Sequence, residues 1–190
     1  MPYRALVLLV CSANICRSPM AERLLARLIA QAGDQDRLRV ASAGTWCSVG
    51  EPATPEACQA LAEIGLALDD HRSRCLNQQQ VDAADLILVM TQAHLQDISL
   101  RFLRARDKTH LLSQMAGEMC DVEDPYGGTL EDYRLCRDTL ADLLSRGYEQ
   151  IVRRAWGLGR PAKGSGDKNK KARRWWRLSA AAAKGPPDAK

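Results

Sequence analysis

At 190 residues the chain is long enough for one ordinary domain with a sizeable core, and its 46% apolar content excludes a mostly disordered protein. No run of about 18 apolar residues occurs, as a membrane span would need. The net charge of +4 hides a division: residues 160–190 carry ten Lys/Arg against two Asp, while the rest carries 17 basic and 21 acidic groups. The expectation is a mildly acidic domain over 1–158 and a basic, disordered tail over 159–190.

In chain order, the opening "MPYRALVLLVC" has too short an apolar stretch for a signal peptide and lacks a small-residue cleavage site. It reads as the first strand of a cytoplasmic protein. "ALVLLV" (5–10) is continuously apolar, the pattern of a strand covered on both faces of a parallel sheet. The following helix, 18–33, is expected to take Ser18 as N-cap and Pro19 as its first residue, and to stop at Gly33. A second strand is expected over 38–44, a second helix over 55–66 and a third strand over 84–90. A helix then starts near Thr91, a fourth strand spans 108–115, a loop carries "DVEDPYGG" (121–128), and a long amphipathic helix covers 130–156. Strands alternating with helices predict an α/β protein, and in such sheets ligands bind beyond the carboxyl ends of the strands.

At the carboxyl end of the first strand stands "CSANICRS", residues 11–18. A turn from strand to helix points backbone N–H groups inward and adds the positive end of a helix, which suits a tetrahedral oxyanion. Ser12, Ala13, Asn14, Ile15, Cys16, Arg17 and Ser18 would line that cradle. Arg17 adds a planar fork for two phosphate oxygens. The same field favours the thiolate of Cys11, aimed at a bound phosphorus, with Ser18 placed to donate a hydrogen bond to it. Attack on a phosphate ester also needs an acid for the leaving oxygen. Asp124, in "EDPYG", is a candidate, although read alone it is an ordinary Asp-Pro turn. The seven cysteines are odd in number, form no Cys-x-x-Cys pair and lack histidines at ligand spacing. That argues against a zinc site or a disulfide framework, and reduced thiols are the expectation.

The signature "VCSANICRSPMAE", with "ASAGT", "GEPATPEA", "DHRSR" and "EDPYG" following in order, resembles the low-molecular-weight protein tyrosine phosphatases over about residues 4–157. The resemblance implies a four-stranded parallel sheet flanked by helices on both faces, a cysteinyl-phosphate intermediate, and no metal or other cofactor. It implies that Cys11 is the nucleophile, Arg17 the phosphate clamp and Asp124 the general acid. Asn14, in a left-handed conformation, would join Ser18, Ser42 and His71 in a network that shapes the loop. Tyr126 would flank the substrate ring, with Trp46 as a candidate opposite wall. Cys16 would be able to form a reversible disulfide with Cys11, whereas Cys47, Cys58, Cys75, Cys120 and Cys136 are read as ordinary thiols. Ala13 departs from the family's usual glycine, and a methyl group fits there if the residue keeps a negative φ.

Two other activities share such a scaffold. An arsenate reductase needs a downstream cysteine relay, and Cys75 stands alone before the third strand. Protein arginine phosphatases resemble the chain too but usually carry threonine at the position of Ile15, whose apolar side chain suits an aromatic ring. The expected substrate is therefore a tyrosine-phosphorylated protein. Resemblance to bacterial members points further to an autophosphorylated tyrosine kinase of exopolysaccharide export. The tail, with Trp175 and Trp176 among arginines, is open to an anionic membrane surface, nucleic acid, an acidic protein or no partner at all.

Overall fold

The structure, a computed structural model, describes residues 3–156. Its centre is strand β1 (Ala5–Cys11), every residue of which is buried. Ala5, Val7, Leu9 and Cys11 join one core cluster while Leu6, Leu8 and Val10 join the other, so the apolar run has no polar alternation because neither face meets water. Strands β2 (Leu38–Gly44), β3 (Leu86–Val89) and β4 (Thr109–Leu111) complete a parallel sheet in the order β2-β1-β3-β4. The α/β class, the four parallel strands and the loop after the first strand are as the sequence predicts.

Helix α1 (Arg17–Ala32), the short helix α2 (Pro55–Ala62) and the long α6 (Leu130–Ala155) cover one face, around Met20, Leu24, Leu25, Leu61, Tyr133, Leu140 and Leu144. The other face is covered by α3 (Gln78–Ala83) and α4 (Gln92–Arg101), with Val81, Ile98 and Phe102 against Leu8, Val10, Ile87 and Val89. A short helix, α5 (Leu112–Met115), follows β4 directly.

Several boundaries differ from expectation, each for a local reason. Helix α1 starts at Arg17 with Cys16 as N-cap, not at Ser18, and the Cys16 side chain does not cap it. Ser18 places its hydroxyl beside Cys11 instead, and Pro19 still falls in the first turn, where its missing N–H costs no helical hydrogen bond. The expected strand over 108–115 is a three-residue strand followed by α5, an ambiguity that a short apolar run cannot resolve by pattern. The second helix stops at Ala62, and Gly65 (φ 73°) turns the chain where a helix to residue 66 is expected. The third strand is trimmed to Leu86–Val89. Helix α3 is missed altogether, although Asn77 and Gln80 form a reciprocal capping box. The basic tail read from the sequence lies outside the described residues. Among the described residues, no helix is long and apolar enough to cross a membrane.

Candidate active site

The segment between β1 and α1 crosses the carboxyl edge of the sheet. It runs against Gly44 at the end of β2, where an added Cβ would lie 2.5 Å from the Ser12 carbonyl oxygen. Only glycine admits that approach, which explains the last residue of the strand "LRVASAG". The backbone N–H of Thr45 donates to the Cys11 carbonyl at 2.9 Å and that of Trp46 to the Ser12 carbonyl at 3.0 Å. On the other flank Thr54 N–H donates to the Ile15 carbonyl at 3.0 Å.

Asn14 is the centre of the loop. It is fully buried and, with φ 58°, is the one non-glycine residue with positive φ among the described residues. Ala13 therefore avoids the region where its methyl group would be strained. The Asn14 side-chain amide donates to Ser18 Oγ and to Ser42 Oγ, each at 2.9 Å, and its Oδ1 accepts from the Arg74 backbone N–H at 2.9 Å. His71 Nε2 donates to the Asn14 carbonyl at 2.7 Å, and burial pushes the His71 imidazolium down from its ordinary range. Ser42 in turn donates to Glu22 on α1. Asn14, Ser18, Ser42 and His71 are thus brought together, with Arg74 and Glu22 as members the sequence did not reveal.

Cys11 is buried, with Sγ 3.0 Å from Ser18 Oγ. The single Ser18 proton has two acceptors within reach, this sulfur and the Ala43 carbonyl at 3.3 Å. The sulfur is the nearer of the two, so the hydroxyl stands within donating reach of Cys11. The N-cap of α1 leaves first-turn N–H groups free of side-chain capping at the same place. Arg17 is buried too. Its Nη1 donates to the Val122 carbonyl at 3.1 Å, and its Nη2 donates to Ser12 Oγ at 3.2 Å and to Asp124. Its buried Nε–H has no partner among the described residues, which is what a clamp for an external oxyanion requires.

Asp124 reaches this centre through its ion pair with Arg17, although its side chain is 44% exposed. Its loop is anchored by Val122, whose N–H donates to the Met90 carbonyl at 2.8 Å. Beside the loop opens a cavity of about 400 Å³ walled by Asp124, Tyr126, Leu135 and Cys136. Tyr126 and Trp46 are both well exposed, and the Arg101 guanidinium lies 5.8 Å from the Trp46 ring centre. Burial pushes the Cys16 thiol up, against the lowering effect of its contacts with Tyr133 and Thr54, and pushes Cys136 up to about 12. No group of three or more His, Cys, Asp and Glu is set to hold a metal ion among the described residues.

Comparison with known proteins fits this geometry. The family model described as low molecular weight phosphotyrosine protein phosphatase matches residues 6–155. The chain belongs to that family. A protein-arginine-phosphatase of Bacillus subtilis (strain 168) is 40% identical over 146 residues, covering 76% of this chain and 95% of that protein. The low molecular weight protein-tyrosine-phosphatase Wzb of Escherichia coli (strain K12) is 36% identical over 146 residues, covering 77% and 94%. The crystal structure of a YwlE mutant from Bacillus subtilis superposes with a TM-score of 0.73 at 38% identity, over 77% of this chain and 98% of that one. By family the protein is a protein-tyrosine phosphatase, a phosphoric monoester hydrolase.

Two features of this phosphatase lie outside the expectations drawn from its sequence. Cys47 and Cys75 form a disulfide with Cα atoms 5.3 Å apart, so the expectation of seven reduced thiols is corrected, as is the reading of Cys47 and Cys75 as ordinary thiols. Strand β2 and the segment 71–76 come together in space, through a bridge between Gly44 and Cys75, and that brings two cysteines 28 positions apart into bonding range. His94, the second feature, contacts Ser12 from the first turn of α4. The signal for it was available, because Thr91 caps that helix at the carboxyl end of β3, where sites in parallel sheets gather.

Proposed function

We propose that Cys11 is the nucleophile of this phosphatase, Arg17 its phosphate clamp and Asp124 its general acid, acting on phosphotyrosine in proteins. The observation that carries the reading is Cys11 beside Ser18 in a loop braced by buried Asn14, with the free Nε–H of Arg17 in the same place.

The Cys11 thiolate attacks phosphorus, an S–P bond forms, and the bond from phosphorus to the tyrosine oxygen breaks as protonated Asp124 gives its proton to the leaving oxygen. Asp124, now a carboxylate, takes a proton from water as the water oxygen attacks phosphorus. The S–P bond breaks, inorganic phosphate leaves, and the returning thiolate is stabilised by Ser18. The Arg17–Asp124 ion pair links clamp and acid, because a bound phosphate dianion competes with the carboxylate for the guanidinium.

The substrate we favour in the cell is an autophosphorylated bacterial tyrosine kinase, on the strength of the resemblance to bacterial members. The identity to a protein-arginine-phosphatase supports a second reading, phosphoarginine, and Ile15 argues against it because an apolar side chain at the mouth of the loop leaves a guanidinium unpaired. Cys16 fits a redox role. Peroxide would oxidise Cys11 to a sulfenic acid, and condensation with the Cys16 thiol would release water and leave an inactive disulfide. Segment 160–190, by its charge, is a contact for an anionic membrane, nucleic acid or acidic protein. Salt-sensitive binding lost on truncation after Gly159 is the expected result for that contact.

The deciding experiment is phosphate release from phosphotyrosine and phosphoarginine peptides, without added metal, by the wild type and Cys11→Ser. Release from phosphotyrosine that falls by at least about a thousandfold in Cys11→Ser supports the reading. Turnover of phosphoarginine alone would replace it with the second.

A further inference from the structure

We propose that His94 is a positioning residue of the phosphate loop, holding the Ser12 hydroxyl so that its proton is donated to the bound phosphate. The inference rests on the phosphatase reading above but concerns a pair of side chains which that reading does not use.

His94 is buried at the start of α4, with Nδ1 2.8 Å from Thr91 Oγ1 and Nε2 2.9 Å from Ser12 Oγ. Burial, reinforced by the Arg17 cation, pushes the ring down to about 4, so it is neutral and has one N–H to place. On this proposal that proton is on Nε2. Thr91 Oγ1 accepts from the His94 backbone N–H at 3.2 Å as the cap of α4 and lies 2.8 Å from Nδ1, a contact in which either group can be the donor. With the Thr91 hydroxyl donating to Nδ1, the ring proton sits on Nε2 and is donated to Ser12 Oγ. Arg17 Nη2 donates to the same oxygen at 3.2 Å. With both lone pairs of Ser12 Oγ filled by donors, its proton has only outward directions left, and the anion site is the acceptor beside it. The reverse tautomer would spend the Ser12 proton on the ring, leave the Thr91 proton without this acceptor, and give the phosphate one donor fewer.

The arrangement orders Thr91, His94, Ser12 and Arg17 into a chain from the end of β3 to the clamp. It gives β3 a part in binding the anion, which the loop after β1 does not supply alone. His94 itself touches neither phosphorus nor the leaving group.

The test uses the full chain and inorganic phosphate as probe, with affinity read by NMR titration so that it does not depend on turnover. Nitrogen-15 spectra of the wild type should show His94 protonated on Nε2. His94→Leu should weaken phosphate binding about tenfold, the scale of one hydrogen bond to an anion, and His94→Gln, whose amide can replace Nε2–H, should recover most of it. In a Ser12→Ala background His94→Leu should change nothing further. A proton on Nδ1, equal losses with and without the Ser12 hydroxyl, or a wild type that binds no phosphate each overturn the proposal. Should His94→Leu fail to fold, the tautomer and His94→Gln decide. Phosphate binding with these couplings, but no turnover of phosphotyrosine, would sink the substrate reading and leave the His94 assignment standing.

Discussion

Asn14 and Asp124 belong to one site and are held by opposite means. Asn14 is fully buried, its side-chain amide and carbonyl engaged by Ser18, Ser42 and Arg74, and its backbone carbonyl by His71. Asp124 keeps nearly half its side chain exposed to water and is held by Arg17 and by the Tyr126 N–H, which donates to Oδ1 at 3.3 Å. On the proposed reading, the binding half is shaped before substrate arrives, while the proton-delivering half rests on a contact that a phosphate can take over. Preorganised donors lose little on binding, and an exposed acid can exchange protons with water between the two steps.

The comparison breaks first at Asp124→Asn. Removing the acid should lower kcat on phosphotyrosine by about 10²–10³-fold while inorganic phosphate binds no more weakly, because the competition for Arg17 is reduced. Steady-state kinetics with phosphate inhibition separates the two, and equal losses of kcat and affinity would show that Asp124 belongs to the binding half after all.

Next in size is the Cys47–Cys75 disulfide, which ties the Trp46 loop to the segment carrying His71 and Arg74. Its closed loop of 28 residues corresponds to about 3–4 kcal/mol in chain entropy. Denaturant unfolding with and without reductant should differ by about that much, and Cys75→Ser should abolish the difference.

Asn14→Ala should cost about 3 kcal/mol of stability, from an alanine forced to positive φ and an Arg74 N–H left unpaired, and should weaken phosphate binding as the loop relaxes. A loss confined to stability, with affinity intact, would contradict preorganisation.

The smallest effect is with pH. His94 and His71 are both depressed in the folded state by burial, so the unfolded chain binds more protons below its ordinary histidine value of 6.5. Their contribution is present above pH 6.5 and is lost as pH falls through the folded values, near about 4 for His94. Stability should drop by about 2 kcal/mol between pH 7 and 5 from His94 alone, and His94→Gln should flatten that part of the slope.

By itself the sequence determined the strand-helix alternation and the place of the phosphate loop. Those features are local: a continuous apolar run marks β1, helix-period residues mark α1 and α6, and Cys11, Arg17 and Ser18 lie within eight positions. The "EDPYG" loop offered Asp124 as the acid and the family resemblance supplied Asn14, Ser42 and His71 as a network, but their distances came only with the fold. Tertiary structure alone decided that Gly44 lets the loop pass, that Arg74 and Glu22 close the Asn14 network, that Cys47 meets Cys75, and that His94 reaches Ser12. Each of those contacts joins residues 20 to 82 positions apart, and the one between Ser12 and His94 spans β1 and β3, neighbours in the sheet but not in the chain. Periodicity and capping report what a residue does to its own turn, and sheet order brings distant turns to one edge, so these partners could be read only from the folded chain.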